Sequence, residues 1–127
     1  MMSPAPARFS ARRIAAFADA GILGVRSGTK HRYTSVWVVV VEDRVFVRSW
    51  NDKPTGWYRA FLDEPRGSVT LGDTEIRARA APVRSARFRR AVSEAYAEKY
   101  PTKGSVRWVR GFAEPEREAH TLELLPR

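Results

Sequence analysis

The alternation of apolar and polar residues divides this chain into strands and helices. Residues 33–41 (YTSVWVVVV) carry β-branched and aromatic side chains on both faces of an extended chain, which predicts a central strand covered on two sides. Glu42 and Asp43 make a tight turn. Residues 44–50 return as the antiparallel partner, with Val45, Val47 and Ser49 on one face and Phe46, Arg48 and Trp50 on the other. A second hairpin joins 67–72 to 74–81 through Gly72-Asp73, with Ile76, Ala78 and Ala80 inward and Glu75, Arg77 and Arg79 outward, and Pro82 closes it. Residues 22–27 (ILGVRS) and 120–125 complete the strands, the last with Leu122 and Leu124 inward.

Helical spacing appears in three places. Ser10 is an N-cap for a helix over 11–20, with Phe9 and Ile14 placed as a hydrophobic staple, Phe17 and Ala18 on the same buried face, and Gly21 as its end. Thr55 caps a short helix over 56–63 that turns Trp57, Phe61 and Leu62 inward and stops before Pro65. Ser85 starts the longest helix, which runs to about Tyr100 with Phe88, Ala91, Val92, Ala95 and Tyr96 at helical spacing. Residues 101–118 give no clear period. The sum is an α+β, mainly β domain: a six-stranded antiparallel barrel, which closes its strands without exposed edges, and about three flanking helices. Residues 1–9 are expected to be a flexible N-terminal arm and residues 10–127 a single domain.

Composition narrows the chemistry more than the fold. A single domain of 127 residues can bury roughly two-thirds of its extended-chain surface. The absence of cysteine excludes disulfides, thiolate nucleophiles and cysteine-held metals. No apolar run approaches the roughly 18 residues that cross a bilayer, and the opening MMSPAPARF has no hydrophobic signal core, so a cytoplasmic protein without membrane contact is expected. The net charge of +9 suits an anionic partner: nucleic acid, a phosphorylated cofactor or an acidic surface. Those charges are mostly arginine and lie scattered, with Arg77, Arg79, Arg87, Arg89 and Arg90 the candidates for nucleic acid, and no polybasic block marks the chain.

Hydrolase elbows, zincin helices and Walker loops are all absent from the sequence, and no metal is expected. His31 and His120 are far apart in sequence, and the acidic pairs Glu42-Asp43 and Asp63-Glu64 read as solvated punctuation. What remains is basic and aromatic. Arg48, Ser49 and Lys53 flank the helix start at Gly56, where cations and N–H donors could grip a phosphate. A second polar cluster holds Arg26, Ser27, Gly28, Lys30 and Arg32, and Trp37, Trp50 and Trp57 could flank a planar ring. The same residues also fit a plainer arrangement, with tryptophans in the core and arginines on a solvated rim.

The run GILGVRSGTKHRYTSVWVVVVEDRVFVRSWNDKPTGWYRAFLDEPRGSVTLGDTEIRARA resembles the split β-barrel flavoproteins of the pyridoxamine 5′-phosphate oxidase superfamily, especially the deazaflavin-dependent nitroreductase branch. The matching features, in order, are Arg26-Ser27-Gly28, Arg32-x-Thr34, Ser49, Trp57-Tyr58 and Pro65-Arg66-x-x-Val69. The segments AYAEKY and TLELLPR look closer still to a small bacterial family of unknown function in that superfamily. The resemblance implies a homodimer with FMN or a deazaflavin in a groove between subunits. It implies the cofactor phosphate near Arg26, Ser27, Arg32, Arg48 and Ser49, with Thr34, Lys53 and Trp57 nearby and Trp50 standing where the nitroreductase branch carries a glycine. The function so implied is an oxidoreductase acting on a small organic substrate. A dimer that holds another ligand or none, and a nucleic-acid-binding protein, are the alternatives.

Overall fold

The computed structural model describes residues 8–127, so most of the expected N-terminal arm lies outside the described residues. Five helices, α1 (Ala11–Asp19), α2 (Trp57–Asp63), α3 (Ala86–Lys99), α4 (Val106–Phe112) and α5 (Pro115–Glu118), accompany seven strands: β1 (Leu23–Ser27), β2 (Thr34–Val36), β3 (Val38–Val41), β4 (Arg44–Arg48), β5 (Arg66–Leu71), β6 (Thr74–Pro82) and β7 (Thr121–Pro126). The sheet is antiparallel throughout, in the order β2-β1-β5-β6-β7-β4-β3. Its two ends, β2 and β3, are consecutive in sequence, so one bent segment leads from one edge of the sheet to the other and nearly closes a barrel. The expected α+β barrel is therefore the observed architecture.

The strand expected over 33–41 accounts for the count of seven where six are expected. It breaks at Trp37, and the segment before the break pairs with β1 while the segment after it pairs with β4. Val38 and Val39 are covered on both faces as expected, but Thr34 and Ser35 are exposed. Backbone groups freed at the break need other partners, and α3 supplies them. Tyr96 Oη donates to the Trp37 carbonyl at 3.1 Å, Lys99 Nζ donates to the Val38 carbonyl at 2.6 Å, and the Val38 N–H donates to Tyr100 Oη at 3.3 Å. The Trp37 indole lies flat on the Tyr100 ring, 4.2 Å between centroids and 6° between planes. Burial pushes the Tyr96 hydroxyl pKa up and the Lys99 ammonium pKa down.

Alternation divides the apolar residues between two cores. Inside the barrel, Val25, Val38, Val45, Val47, Val69, Ile76, Ala78, Leu122 and Leu124 meet Phe17 of α1 and Phe61 of α2. Outside it, Val39 and Phe46 meet Val92 and Tyr96 of α3 and Phe112 of α4. Both hairpins keep the expected inward residues. Glu42 and Asp43 take positive φ in the first turn, and Gly72 does so in the second. Ser10 and Ser85 accept the expected capping bonds from the Arg13 and Phe88 N–H groups.

Two local expectations change: Gly56, not Thr55, is the N-cap of α2, and Ala18 is exposed. Phe9 and Ile14 both pack on the barrel core, Phe9 at 5.0 Å from the Phe17 ring. Tyr100→Phe keeps the ring on Trp37 but removes the hydroxyl that satisfies the break. It should destabilise the protein by about 1 kcal/mol, measured as a lower urea midpoint with an unchanged slope.

Candidate functional site

Where β2 turns away onto β1, the far end of β4 loses its neighbour, because β3 pairs with β4 only as far as Val38 opposite Val47. The wedge left there is a cavity of about 320 Å³ walled by the indoles of Trp37, Trp50, Trp57 and Trp108, together with Phe112, Arg48 at the end of β4 and the β2 residues Ser35 and Val36. Aromatic walls of this kind fit a planar ring, and the volume lies at the lower end of the range for small-molecule sites. Two exposed apolar side chains stand at its border, Ile22 at 61% and Trp108 at 42%.

A polar pocket of about 180 Å³ adjoins it across Trp57, which lines both. Five of the residues singled out in the sequence meet here: Arg26, Ser27, Arg32, Thr34 and Trp57. Arg26 reaches it from β1 with its guanidinium over the Tyr33 ring at 4.5 Å and 3.5 Å from Glu75. Its Nε is buried without any hydrogen-bond partner among the described residues. An orphaned cationic donor beside a pocket is a feature that an anionic ligand would resolve. Ser27 contributes less than expected, since its hydroxyl is held by the carbonyls of Ala60 and Glu64 at 3.0 and 2.7 Å and fastens α2 to β1.

The expected anion grip between Arg48 and Lys53 does not assemble. Arg48 is 2% exposed and gives four N–H groups to protein oxygens: Nε to Thr121 Oγ1 at 2.8 Å, Nη1 to Ser93 Oγ at 2.7 Å and to the Phe112 carbonyl at 2.8 Å, and Nη2 to the Arg89 carbonyl at 2.7 Å. Phe112 is the last residue of α4, so its carbonyl is one the helix leaves open. Burial lowers the guanidinium pKa to about 10, which still leaves it charged at neutral pH. Arg48 thus binds β4 to β7, α3 and α4, and it does so from the wall of the aromatic cavity.

Ser49 bonds to the Asn51 carbonyl at 2.6 Å, the Gly56 N–H closes a turn on the Lys53 carbonyl at 2.9 Å, and Lys53 is exposed. Trp50 faces α4. Its indole lies under the Arg117 guanidinium at 3.6 Å and against Gly111, where an added Cβ would come within 2.1 Å of it. The indole therefore forms a wall of the aromatic cavity without filling it.

Trp108 and Phe112 escaped the sequence reading. They sit one helical turn apart in the segment whose period is masked by Gly104, Gly111 and Pro115, and that spacing after Ser105 was the available signal. The arginines named for nucleic acid differ in their contacts. Arg77 and Arg79 lie on the outer face of β6, Arg87 pairs with Glu42 at 2.9 Å, and Arg89 Nε donates to the Val83 carbonyl.

The profile of a bacterial family described as "Uncharacterized protein conserved in bacteria (DUF2255)" matches residues 12–124. A crystal structure of the conserved hypothetical protein Rv2991 from Mycobacterium tuberculosis superposes with a TM-score of 0.60 at 18% identity, covering 98% of this chain and 83% of that one. That likeness establishes a shared fold. None of the curated proteins compared with the chain matches it. Among the described residues no helix is long and apolar enough to cross a membrane, and no cluster of side chains could hold a metal ion.

Arg48→Met should destabilise the fold by about 2 to 4 kcal/mol, because it removes four hydrogen bonds and leaves the Phe112 carbonyl without a donor. Arg26→Gln, which breaks one half-exposed ion pair, should change stability by less than about 0.5 kcal/mol. Chemical denaturation of the two variants checks both.

Proposed function

We propose that this chain, which belongs to the DUF2255 family of uncharacterized bacterial proteins, binds FMN or a deazaflavin and serves as an oxidoreductase on a small organic substrate. One observation carries the reading: an aromatic cavity and a basic pocket share Trp57 as their common wall. The split-barrel resemblance and the barrel itself support it.

The residues present fit such a cofactor. Arg26, whose Nε is buried without a partner, and Arg32 hold the phosphate, with the Thr34 hydroxyl as a further donor. The indoles of Trp37, Trp57 and Trp108 offer faces to the ring, and Trp50 with Phe112 keeps water from its inner side. When bound, the flavin or deazaflavin supplies the hydride chemistry. Ser35 on β2 and the indole N–H groups are the uncharged donors in the cavity wall, and they orient a substrate by hydrogen bonds. The exposed Ile22 and Trp108 at the cavity border suit burial against a second copy, so the proposal includes a homodimer that completes the groove.

Two measurements test this. Protein titrated with FMN, or with a deazaflavin, should quench its tryptophan fluorescence, and the Arg26→Ala/Arg32→Ala variant should bind at least about tenfold more weakly; absence of any heat or quenching with either cofactor would falsify the reading. Light scattering should give twice the 14.4 kDa chain mass, and Ile22→Glu should shift that mass towards the monomer. A wild-type monomer at high concentration would remove the dimer from the proposal.

A further inference from the structure

On the outer side of Trp50 lies a second, larger cavity of about 720 Å³, bordered by Lys103, Arg107, Arg110, Glu114 and Arg117. Four cations face one carboxylate there. That carboxylate is already engaged, with Glu114 2.8 Å from Arg117 Nη1, and no ion pair among the described residues involves Lys103, Arg107 or Arg110. Arg107 and Arg110 lie three residues apart on α4, a spacing at which like charges repel and destabilise a helix. No carboxylate draws the two together, and both side chains are exposed.

Arg117 is held in place before any ligand arrives. Its Nε donates to the Trp50 carbonyl at 2.9 Å, its plane stacks on the Trp50 indole, and its side chain is only 23% exposed. These contacts engage Nε and Nη1, and no hydrogen bond among the described residues engages Nη2. A fixed guanidinium with an open edge, set among exposed cations, is suited to a planar acid group.

We propose that this cationic cup binds the carboxylate or phosphate group of an anionic small molecule, using Arg107, Arg110 and Arg117. Because Trp50 walls both the cup and the aromatic cavity, a molecule anchored here can reach the cavity over the indole edge. Assigning that molecule as the reaction partner rests on the flavin reading above, whereas the cup itself does not.

The test is a calorimetric and tryptophan-fluorescence titration of the full chain with citrate and, separately, with inorganic phosphate, alongside FMN. Wild-type protein should bind at least one of the two anions saturably, more weakly as salt rises. The Arg107→Gln/Arg110→Gln variant should bind it about tenfold more weakly or worse, with no loss of melting temperature and an unchanged FMN response. Tighter citrate assigns a carboxylate and tighter phosphate a phosphate ester. Equal anion affinity in wild type and variant, or no saturable binding of either anion, overturns the proposal. Loss of the FMN response alone, with the anion result intact, sinks the flavin reading and leaves the cup standing.

Discussion

The break in the central strand at Trp37 is the constraint on which the rest of the molecule depends. A continuous ladder between β2 and β4 would leave no wedge, and the aromatic cavity would not exist. The break is tolerated because Tyr96, Lys99 and Tyr100 of α3 bond to the backbone it exposes. A buried peptide group without a partner costs about as much as a lost hydrogen bond. Helix α3 is therefore part of the sheet's hydrogen bonding as well as a cover over its outer core.

Arg48 fastens the other side of the wedge. It lies beyond the last paired residue of the β3–β4 ladder and draws β7, α3 and α4 together through oxygens alone, with no carboxylate in direct contact. Ser93 passes part of the charge to Glu118, whose carboxylate is 3.0 Å from its hydroxyl. A cation so enclosed holds geometry more than it adds stability, because its desolvation offsets much of what its hydrogen bonds contribute. Stiffness at this point keeps Phe112 and Trp50 in register on either side of α4.

Most of the barrel was legible because its signals are local. Alternation in 74–81, the turn at Gly72-Asp73 and the capping serines each act over a few residues, and all appear as expected. The break at Trp37 was hidden because YTSVWVVVV satisfies a strand pattern throughout, and only pairing with two different partners divides it. The partners of Arg48 were hidden for a related reason. An arginine at a strand end beside a turn reads as a surface ligand, and its acceptors come from residues 41 to 73 positions away in sequence. Arg26, Arg32, Thr34 and Trp57 do gather in one pocket, because β1, β2 and the start of α2 meet there. Helix α4 is only two turns long with Gly111 inside it, and α5 is the four residues PERE, so neither gives a period long enough to stand out against the surrounding glycine and proline.

Gly111 sets the breadth of the ring cavity by having no side chain. The Trp50 indole rests in the hollow that this leaves on α4, and even one methyl group there would collide with it. The indole would then have to swing into the wedge or the helix to lift away from the barrel. Cavity width in proteins built on this plan is accordingly adjustable at a position outside the cavity itself, through the thickness of the floor beneath one tryptophan.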